Sequence, residues 1–553
     1  MQSVYLETFG FQMNELDSEL VRGQLSALGY RFVDTPDSAQ VLLYNTCSVR
    51  EQAEQKALSR IGIVGVRKQA GERLILGVVG CMAERDGVDI FRRHPQVDFL
   101  CGPGELDRLP HLIDTARRAL LAETSDPLTR PSRAERTALA GNKSRRSSTL
   151  AAAEDGLESL DLSRAFDPAS SGRPAHSAYV RITRGCNKFC TYCVVPTTRG
   201  AEVHRPPQHI VDECRRLADH GVKEITLLGQ TVNHYRYEHG LALSVDGQET
   251  AQVGPGLAGF RAPRTARTTT FADLLRHIHD EVPELSRLLF VTSYPRDFGD
   301  DILECMLDSP RICRYLHAPA QSGSDRILKL MNRGYCVSEY RDFVARALSI
   351  LPDASLAGDI IVGFPTETDD DFEATCTLVR DLPFKNNFIF KYSTRPGTVA
   401  HARIPDDVRD EVKRARNNAL LAIQGEVSAR VHKQLVGTTQ SVLFDTARAR
   451  ETNPTRQAFG SITIHGAPSK SGGTGAHAGS RLWQAVGRSK GDIIVAVSRP
   501  DKESAEALMG NVADVLIDGS EALILHGSTL HQPGQPNLNH TSQNLAAEVS
   551  KVS

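Results

Sequence analysis

Through residues 1–122 the apolar positions fall in short continuous runs separated by amphipathic stretches. Residues 3–8, 40–44 and 74–79 read as strands, 15–28 as a helix, and 97–102 as a fourth strand carrying Cys101 at its end. Continuous apolar runs suit parallel strands covered on both faces, so this part predicts a small doubly wound α/β domain. From 123 to 177 the pattern stops and Ser, Arg, Ala, Pro and Asp dominate, which reads as a linker or disordered insertion. Its basic run Lys143–Ser148 is a candidate RNA contact, although such runs are commonly only solvated.

Residues 178–432 repeat a strand-then-helix unit, with strands predicted at 178–182, 223–228, 287–292, 314–317, 356–362 and 386–391 and a closing helical stretch at 405–432. Six such units make an open, partial (β/α)6 TIM-type barrel, whose reactive groups belong at the carboxyl ends of its strands. A Gly-, Arg- and Thr-rich insertion at 239–270 is expected to be a surface excursion. Residues 434–530 switch to short strands at 440–444, 482–488, 493–497, 512–517 and 522–525, a small five-stranded β-barrel interrupted by a flexible Ser/Gly-rich loop at Ser469–Ser480. Such barrels often carry RNA, and the scarcity of aromatics here favours backbone contact over base stacking. Residues 531–553 read as a disordered tail.

Composition changes this picture little. The 553 residues suffice for about three domains, and 40% hydrophobic with 24% charged content is that of an ordinary soluble protein. No run of about 18 apolar residues occurs and the first residues begin a strand, so a cytoplasmic protein without a membrane partner is expected. A net charge of −2 argues against a globally basic nucleic-acid binder but leaves local patches open. Eleven cysteines point to thiol or metal chemistry rather than a disulfide framework. Cys214, Cys305, Cys313, Cys336 and Cys376 stand alone and are most simply small core residues.

The chemistry concentrates in Arg184–Cys193. Cys186, Cys190 and Cys193, at spacing C-x3-C-x2-C just after the first barrel strand, can converge on one point from a short loop. Three thiolates hold three irons of a cubane cluster and leave the fourth iron open. Structural zinc is the other occupant of such thiols, but it takes paired C-x2-C knuckles or added His to close four ligands, and no fourth ligand sits at such spacing. In the first domain Cys47 and Cys81 follow the second and third predicted strands, at the sheet edge where ligands of open α/β sheets bind. They converge there, or remain two unrelated buried thiols. At the later strand ends Gln230, Ser293, Gln321 and Asp359 ring the mouth of the predicted barrel.

Gln12-Met13-Asn14, Asp17-Ser18-Glu19, Asn45–Arg50, Gly80–Ala83, the three-cysteine loop, Gln321–Ser324 and Gly363–Thr368 occur in this order. With these motifs the chain resembles the radical S-adenosylmethionine (SAM) methylthiotransferases over nearly its whole length apart from the linker and insertions, and its tail resembles their RNA-binding TRAM domain. The resemblance implies that the open iron takes the amino and carboxylate groups of SAM, with Gln230, Ser293, Gln321 and Asp359 as candidate contacts to that cofactor. It implies two [4Fe-4S] clusters, and two SAM molecules, one a methyl donor and the other a radical source. A tRNA substrate, an electron donor such as flavodoxin or ferredoxin, a sulfur donor and a monomeric state are further expectations. Gln12-Met13-Asn14 matches the MiaB-type members, which methylthiolate isopentenyl-adenosine beside the tRNA anticodon, where the ribosomal-protein modifiers carry a Pro-Lys-Asn run.

One departure matters. In this family three cysteines hold the N-terminal cluster, and the first belongs where this chain has Phe11, so Cys47 and Cys81 are one ligand short. Three accounts compete: Cys101 supplies the third thiolate, a sequence error or a non-cysteine ligand accounts for the gap, or the cluster and sulfur insertion are lost. The alternatives to the leading reading are accordingly a methylthiotransferase acting on threonylcarbamoyl-adenosine or a ribosomal protein, and a tRNA-binding radical SAM protein without sulfur insertion.

Overall fold

The computed structural model describes residues 2–48, 51–121, 131–139, 156–162, 164, 176–244, 246–254, 265–449 and 482–530. The chain divides into two compact units, residues 1–424 and 425–553.

The first unit begins with a parallel sheet of β1 (Ser3–Thr8), β2 (Arg31–Phe32), β3 (Val41–Thr46), β4 (Ile75–Gly80), β5 (Phe99–Cys101) and β6 (Thr137–Ala138), in the order β2-β1-β3-β4-β5-β6. Every residue of β3 and β4 is buried, which is why both appear in the sequence as unbroken apolar runs. Helices Gln12–Ala27 and Leu109–Leu121 help enclose one apolar layer on this sheet, and Glu51–Gln69 helps enclose another.

The reading of 123–177 as a linker fails at 131–139, 156–162 and 164. β6 extends the sheet in parallel with β5, and residues 156–162 form a helix. Arg136 donates to the carbonyls of Val97 and Asp98 at 2.6 Å each, with its guanidinium 4.2 Å over the Phe91 ring. These short polar pieces are ordered by partners distant in sequence, which composition does not display. The remainder of 123–177, Lys143–Ser148 included, lies outside the described residues.

Next come β7 (Ser177–Arg181), β8 (Thr183–Arg184), β9 (Val203–His204), β10 (Glu224–Leu228), β11 (Arg236–Glu238), β12 (Gln252–Val253), β13 (Thr268–Thr270), β14 (Arg287–Phe290), β15 (Tyr315–His317), β16 (Ser355–Val362) and β17 (Phe384–Lys391). The six expected barrel strands form two parallel sheets, β14-β10-β7 and β15-β16-β17. They are stitched where Leu288 donates to the Arg311 carbonyl and accepts from the Cys313 amide, both at 2.8 Å. No ladder joins β7 to β17 among the described residues, so the barrel is open, as expected. Its core packs Phe271 edge-on to Phe290 at 5.0 Å and Phe298 flat against Phe343 at 5.0 Å.

The insertion at 239–270 is more than a surface excursion. β12 pairs with β9 and β13 with β11, and Ala242, Ala251 and Gln252 are buried; residues 255–264 lie outside the described residues. Cys214, Cys305, Cys313 and Cys376 are buried, whereas Cys336 is half-buried at the N-cap of helix Val337–Ile350. The expected closing helix is Asp410–Lys433.

The second unit contains a closed barrel of β18 (Thr439–Ala449), β19 (Trp483–Ser489), β20 (Ile494–Arg499), β21 (Val512–Ser520) and β22 (Ile524–Thr529), in the order β18-β19-β20-β22-β21. It fills with Val442, Phe444, Val495, Val497, Ile517 and Leu525. Gly487 is required where β19 crosses β18, since a Cβ there would lie 2.2 Å from the Leu443 carbonyl oxygen. Ser469–Ser480 and 531–553 lie outside the described residues. Among the described residues no helix is long and apolar enough to cross a membrane.

Candidate active site

The three-cysteine loop is fixed mostly by main-chain bonds. Gly185 turns it with φ +70°, and a Cβ there would lie 1.9 Å from the Ala201 carbonyl oxygen, so only glycine fits. The Cys186 amide donates to the Gly200 carbonyl at 3.1 Å, and the Cys193 amide to the Cys190 carbonyl at 3.0 Å. Across the barrel mouth, Thr191 donates through its amide to Met331 at 3.0 Å and through its hydroxyl to Leu330 at 2.8 Å. Asn332 Nδ2 donates to the Phe189 carbonyl at 3.0 Å.

Each sulfur has its own surroundings. Cys186 Sγ accepts from the Lys188 amide at 3.5 Å and lies 3.7 Å from Thr231 Oγ1. Cys190 Sγ accepts from Arg333 Nη1 at 3.4 Å. Burial, with the charge of Glu202, pushes the Cys186 thiol up to about 11, and burial with the charges of Cys190 and Cys186 pushes Cys193 far above the usual thiol range. Both are therefore protonated at neutral pH, and a metal entering the loop must displace their protons. The three half-buried thiols are carried on one short loop whose course the main-chain bonds fix, and such a set fits a three-thiolate cluster. Arg333 gave no signal in the sequence. It is half-buried, held over Tyr294 at 4.5 Å and Tyr335 at 5.0 Å.

The four proposed cofactor contacts come from neighbouring strands. Gln230 follows β10, Ser293 follows β14 and Gln321 follows β15; Asp359 lies within β16, where its carbonyl accepts from the Gln321 amide at 2.8 Å. Ser293 Oγ and Gln321 Oε1 are buried with no hydrogen-bond partner among the described residues, and so is Thr183 Oγ1, which the sequence did not single out. Thr292 and Gln321 both hold left-handed backbone, φ +67° and +70°. Unfilled buried acceptors and strained strand ends around one mouth mark a polar ligand site. His317 joins them, its Nδ1 accepting from the Thr292 amide at 3.1 Å and its Nε2 lying 3.6 Å from Asp359 Oδ2.

In the N-terminal sheet Thr46 pairs with Gly80, so Cys47 and Cys81 leave adjacent strand ends together. Gly80, at φ +91°, permits the sharp turn into helix Cys81–Asp86, since a Cβ there would lie 2.6 Å from the Thr46 carbonyl oxygen. Asn14 of the Gln-Met-Asn run clamps this edge, donating to Asn45 Oδ1 and the Thr46 carbonyl at 3.2 Å each. Arg199, six residues past Cys193 in the sequence, donates to Asp17 Oδ2 at 2.7 Å, on the helix whose Asn14 clamps this edge.

Residues 3–102 match the family described as uncharacterized protein family UPF0004, and residues 180–379 match the Radical SAM superfamily. The chain is 44% identical over 444 residues to a tRNA-2-methylthio-N(6)-dimethylallyladenosine synthase of Rhodopirellula baltica, covering 80% of this chain and 84% of that one. The chain belongs to this synthase family. Synthases of the same description from Neisseria gonorrhoeae and Chromobacterium violaceum are each 39% identical, with 88% and 89% of their lengths covered. Among solved structures, the radical SAM methyltransferase TsrM of Kitasatospora setae aligns with 80% of this chain and 78% of that chain, at 15% identity and TM-score 0.47.

Against the cluster expected of this synthase family, the N-terminal edge falls one thiol short. Phe11 caps the start of helix Gln12–Ala27 and offers no ligand atom. Cys101 does not fill the gap. The β4–β5 register pairs it with Val79, two residues before Cys81, and both side chains belong to the apolar layer that also contains Val4 and Leu43. Its thiol donates to the Glu105 carbonyl at 3.2 Å, and burial holds its pKa well above the thiol range.

Proposed function

We propose that this chain methylthiolates carbon 2 of N6-isopentenyl-adenosine next to the tRNA anticodon, using two SAM molecules, one as methyl donor and one as radical source. The observation that supports this reading best is the loop carrying the half-buried thiols of Cys186, Cys190 and Cys193 beside unfilled buried polar groups at the strand ends, in a chain of the synthase family. When bound, a [4Fe-4S] cluster with SAM supplies an adenosyl radical, which suits an aromatic carbon-hydrogen bond too weakly acidic for a general base. In this reading Ser293, Gln321, Gln230 and Asp359 bind and orient SAM. The second unit's barrel holds tRNA, and an electron donor such as flavodoxin or ferredoxin and a sulfur donor serve the reaction.

Two predictions test these roles. Gln321→Gly keeps the left-handed backbone without strain and removes the side chain with its amide. It should weaken SAM binding about tenfold, one hydrogen bond's worth, in equilibrium dialysis on reconstituted protein. Arg333→Met retains bulk but removes a positive donor from Cys190. Reduction adds negative charge that Arg333 would stabilise, so the reduction potential should fall by on the order of 60 mV in a redox titration followed by electron paramagnetic resonance.

The deciding experiment is mass spectrometry of tRNA nucleosides from a strain lacking its own synthase and supplied with this gene. The methylthio product is expected. A methylthiolated threonylcarbamoyl-adenosine or ribosomal protein in its place would redirect the substrate. Phe11 motivates a second reading, a tRNA-binding radical SAM protein without sulfur insertion, which predicts cofactor cleavage and no methylthio product.

A further inference from the structure

We propose that Glu202, His204 and His234 form a buried site for one divalent transition-metal ion of the zinc class, which braces the polypeptide beneath the three-cysteine loop. One ligand atom from each of the three lies within 4.8 Å of the others. Glu202 and His204 stand two apart at the start of β9, on extended backbone that sends both to one face. His234 arrives from the turn Val232–His234 that follows β10. In the structure Glu202 Oε1 lies 3.0 Å from His204 Nε2, and Glu202 Oε2 lies 2.8 Å from His234 Nδ1.

Three features favour an ion over a simple hydrogen-bonded trio. Glu202 is 1% exposed and its carboxylate meets no Lys or Arg among the described residues, so the buried negative charge calls for a positive partner. His204 Nδ1 lies 2.8 Å from the Arg236 carbonyl and 3.1 Å from the Arg236 amide, main-chain contacts that orient the ring with Nε2 turned toward Glu202. Gly254 keeps room at the ligand atoms, since a Cβ there would lie 2.7 Å from His204 Nε2. Two histidines and one carboxylate are a recurrent zinc set that leaves a fourth position for water. The ion would act on the loop through the backbone: the Glu202 amide donates to Asn187 Oδ1 at 3.2 Å, beside Cys186, and the Gly254 amide donates to the Glu202 carbonyl at 2.8 Å. With Ala201 closing over Gly185, the same strand start supports the entry to the three-cysteine loop.

The test is metal analysis of the full chain, reconstituted anaerobically with iron and sulfide, supplied with micromolar zinc and freed of loose metal by gel filtration. About one zinc per chain is expected beyond the clusters, with zinc X-ray absorption showing nitrogen and oxygen neighbours at about 2.0–2.1 Å and no sulfur. His204→Ser and His234→Ala should each lower zinc at least tenfold while iron and sulfide stay at the parent level. Should either variant fail to fold, Glu202→Gln, which keeps the size and one acceptor, should do the same. Two results overturn the site: parent protein that retains no zinc, or zinc with sulfur neighbours that survives the histidine changes and disappears when Cys186, Cys190 and Cys193 are replaced.

Discussion

Alanine at Cys186, Cys190 and Cys193 together should abolish the methylthio product and SAM cleavage and remove about four irons per chain, with the fold retained. The loop's shape rests on Gly185, on amides bonded to Gly200 and Met331, and on Asn332, none of which the substitution touches. The iron that remains reports on the N-terminal strand ends alone. Sulfur insertion by this chain requires a non-cysteine ligand beside Cys47 and Cys81 to complete the set, so about four irons per chain should remain, and adding Phe11→Cys in the same background should leave that number unchanged. Iron and sulfide assays with electron paramagnetic resonance read both numbers. Iron well below one cluster without the added cysteine, restored to about four by it, would instead mean that the sulfur-carrying cluster is lost, as in the reading without sulfur insertion.

The second large effect is expected at Asp17. This carboxylate is fully buried between Arg199, at 2.7 Å, and Arg181, at 3.6 Å; Arg181 is also bonded to Asp161 at 2.7 Å. Nearby, Arg164 pairs with Glu19 and, at 3.2 Å, with Glu213, while Glu213 also takes Arg205 at 2.7 Å. The network thus ties helix Gln12–Ala27, the segment around 156–164 and the first barrel strand into one ionic layer. Asp17→Ala leaves buried guanidinium charge short of its partner and should cost about 3–5 kcal/mol, lowering the melting temperature of a unit this size by about 3–5 °C. Differential scanning calorimetry checks it. Asp114→Ala is the control: its pair with Arg118 is more than half exposed on both sides and should cost under about 0.5 kcal/mol.

These two sites differ in how far the sequence displayed them. The three-cysteine loop was legible because its thiols are neighbours in the chain and follow a short strand-like run, residues 178–182. The barrel strands were legible for the same local reason, with ends displaced by no more than about two residues. The position of Cys101 at a strand's end was visible, but the choice among the three accounts was not, because pairing with Val79 decides the face its side chain takes and pairing is a long-range fact. β6 and the helix at 156–162 were missed because their order comes from Arg136 and the ionic layer rather than from apolar periodicity. Arg333, His204 and His234 escaped notice because each meets its partners only after the strands are assembled.

The bond of Arg199 to Asp17 bears on how substrate and sulfur come together. Arg199 continues the chain just past the three-cysteine loop, and with Arg181 and Arg164 it fastens that part to helix Gln12–Ala27, whose Asn14 is bonded to the strand end that precedes Cys47. Neither half can swing over to a stationary nucleotide and back during turnover without breaking that fastening. The reacting centres are a fixed pair, and the movement falls to the RNA: the adenine must leave its stack and be carried into the gap between them, at a cost of a few kcal/mol in lost stacking that an anticodon loop, already partly unpaired, bears more easily than a duplex.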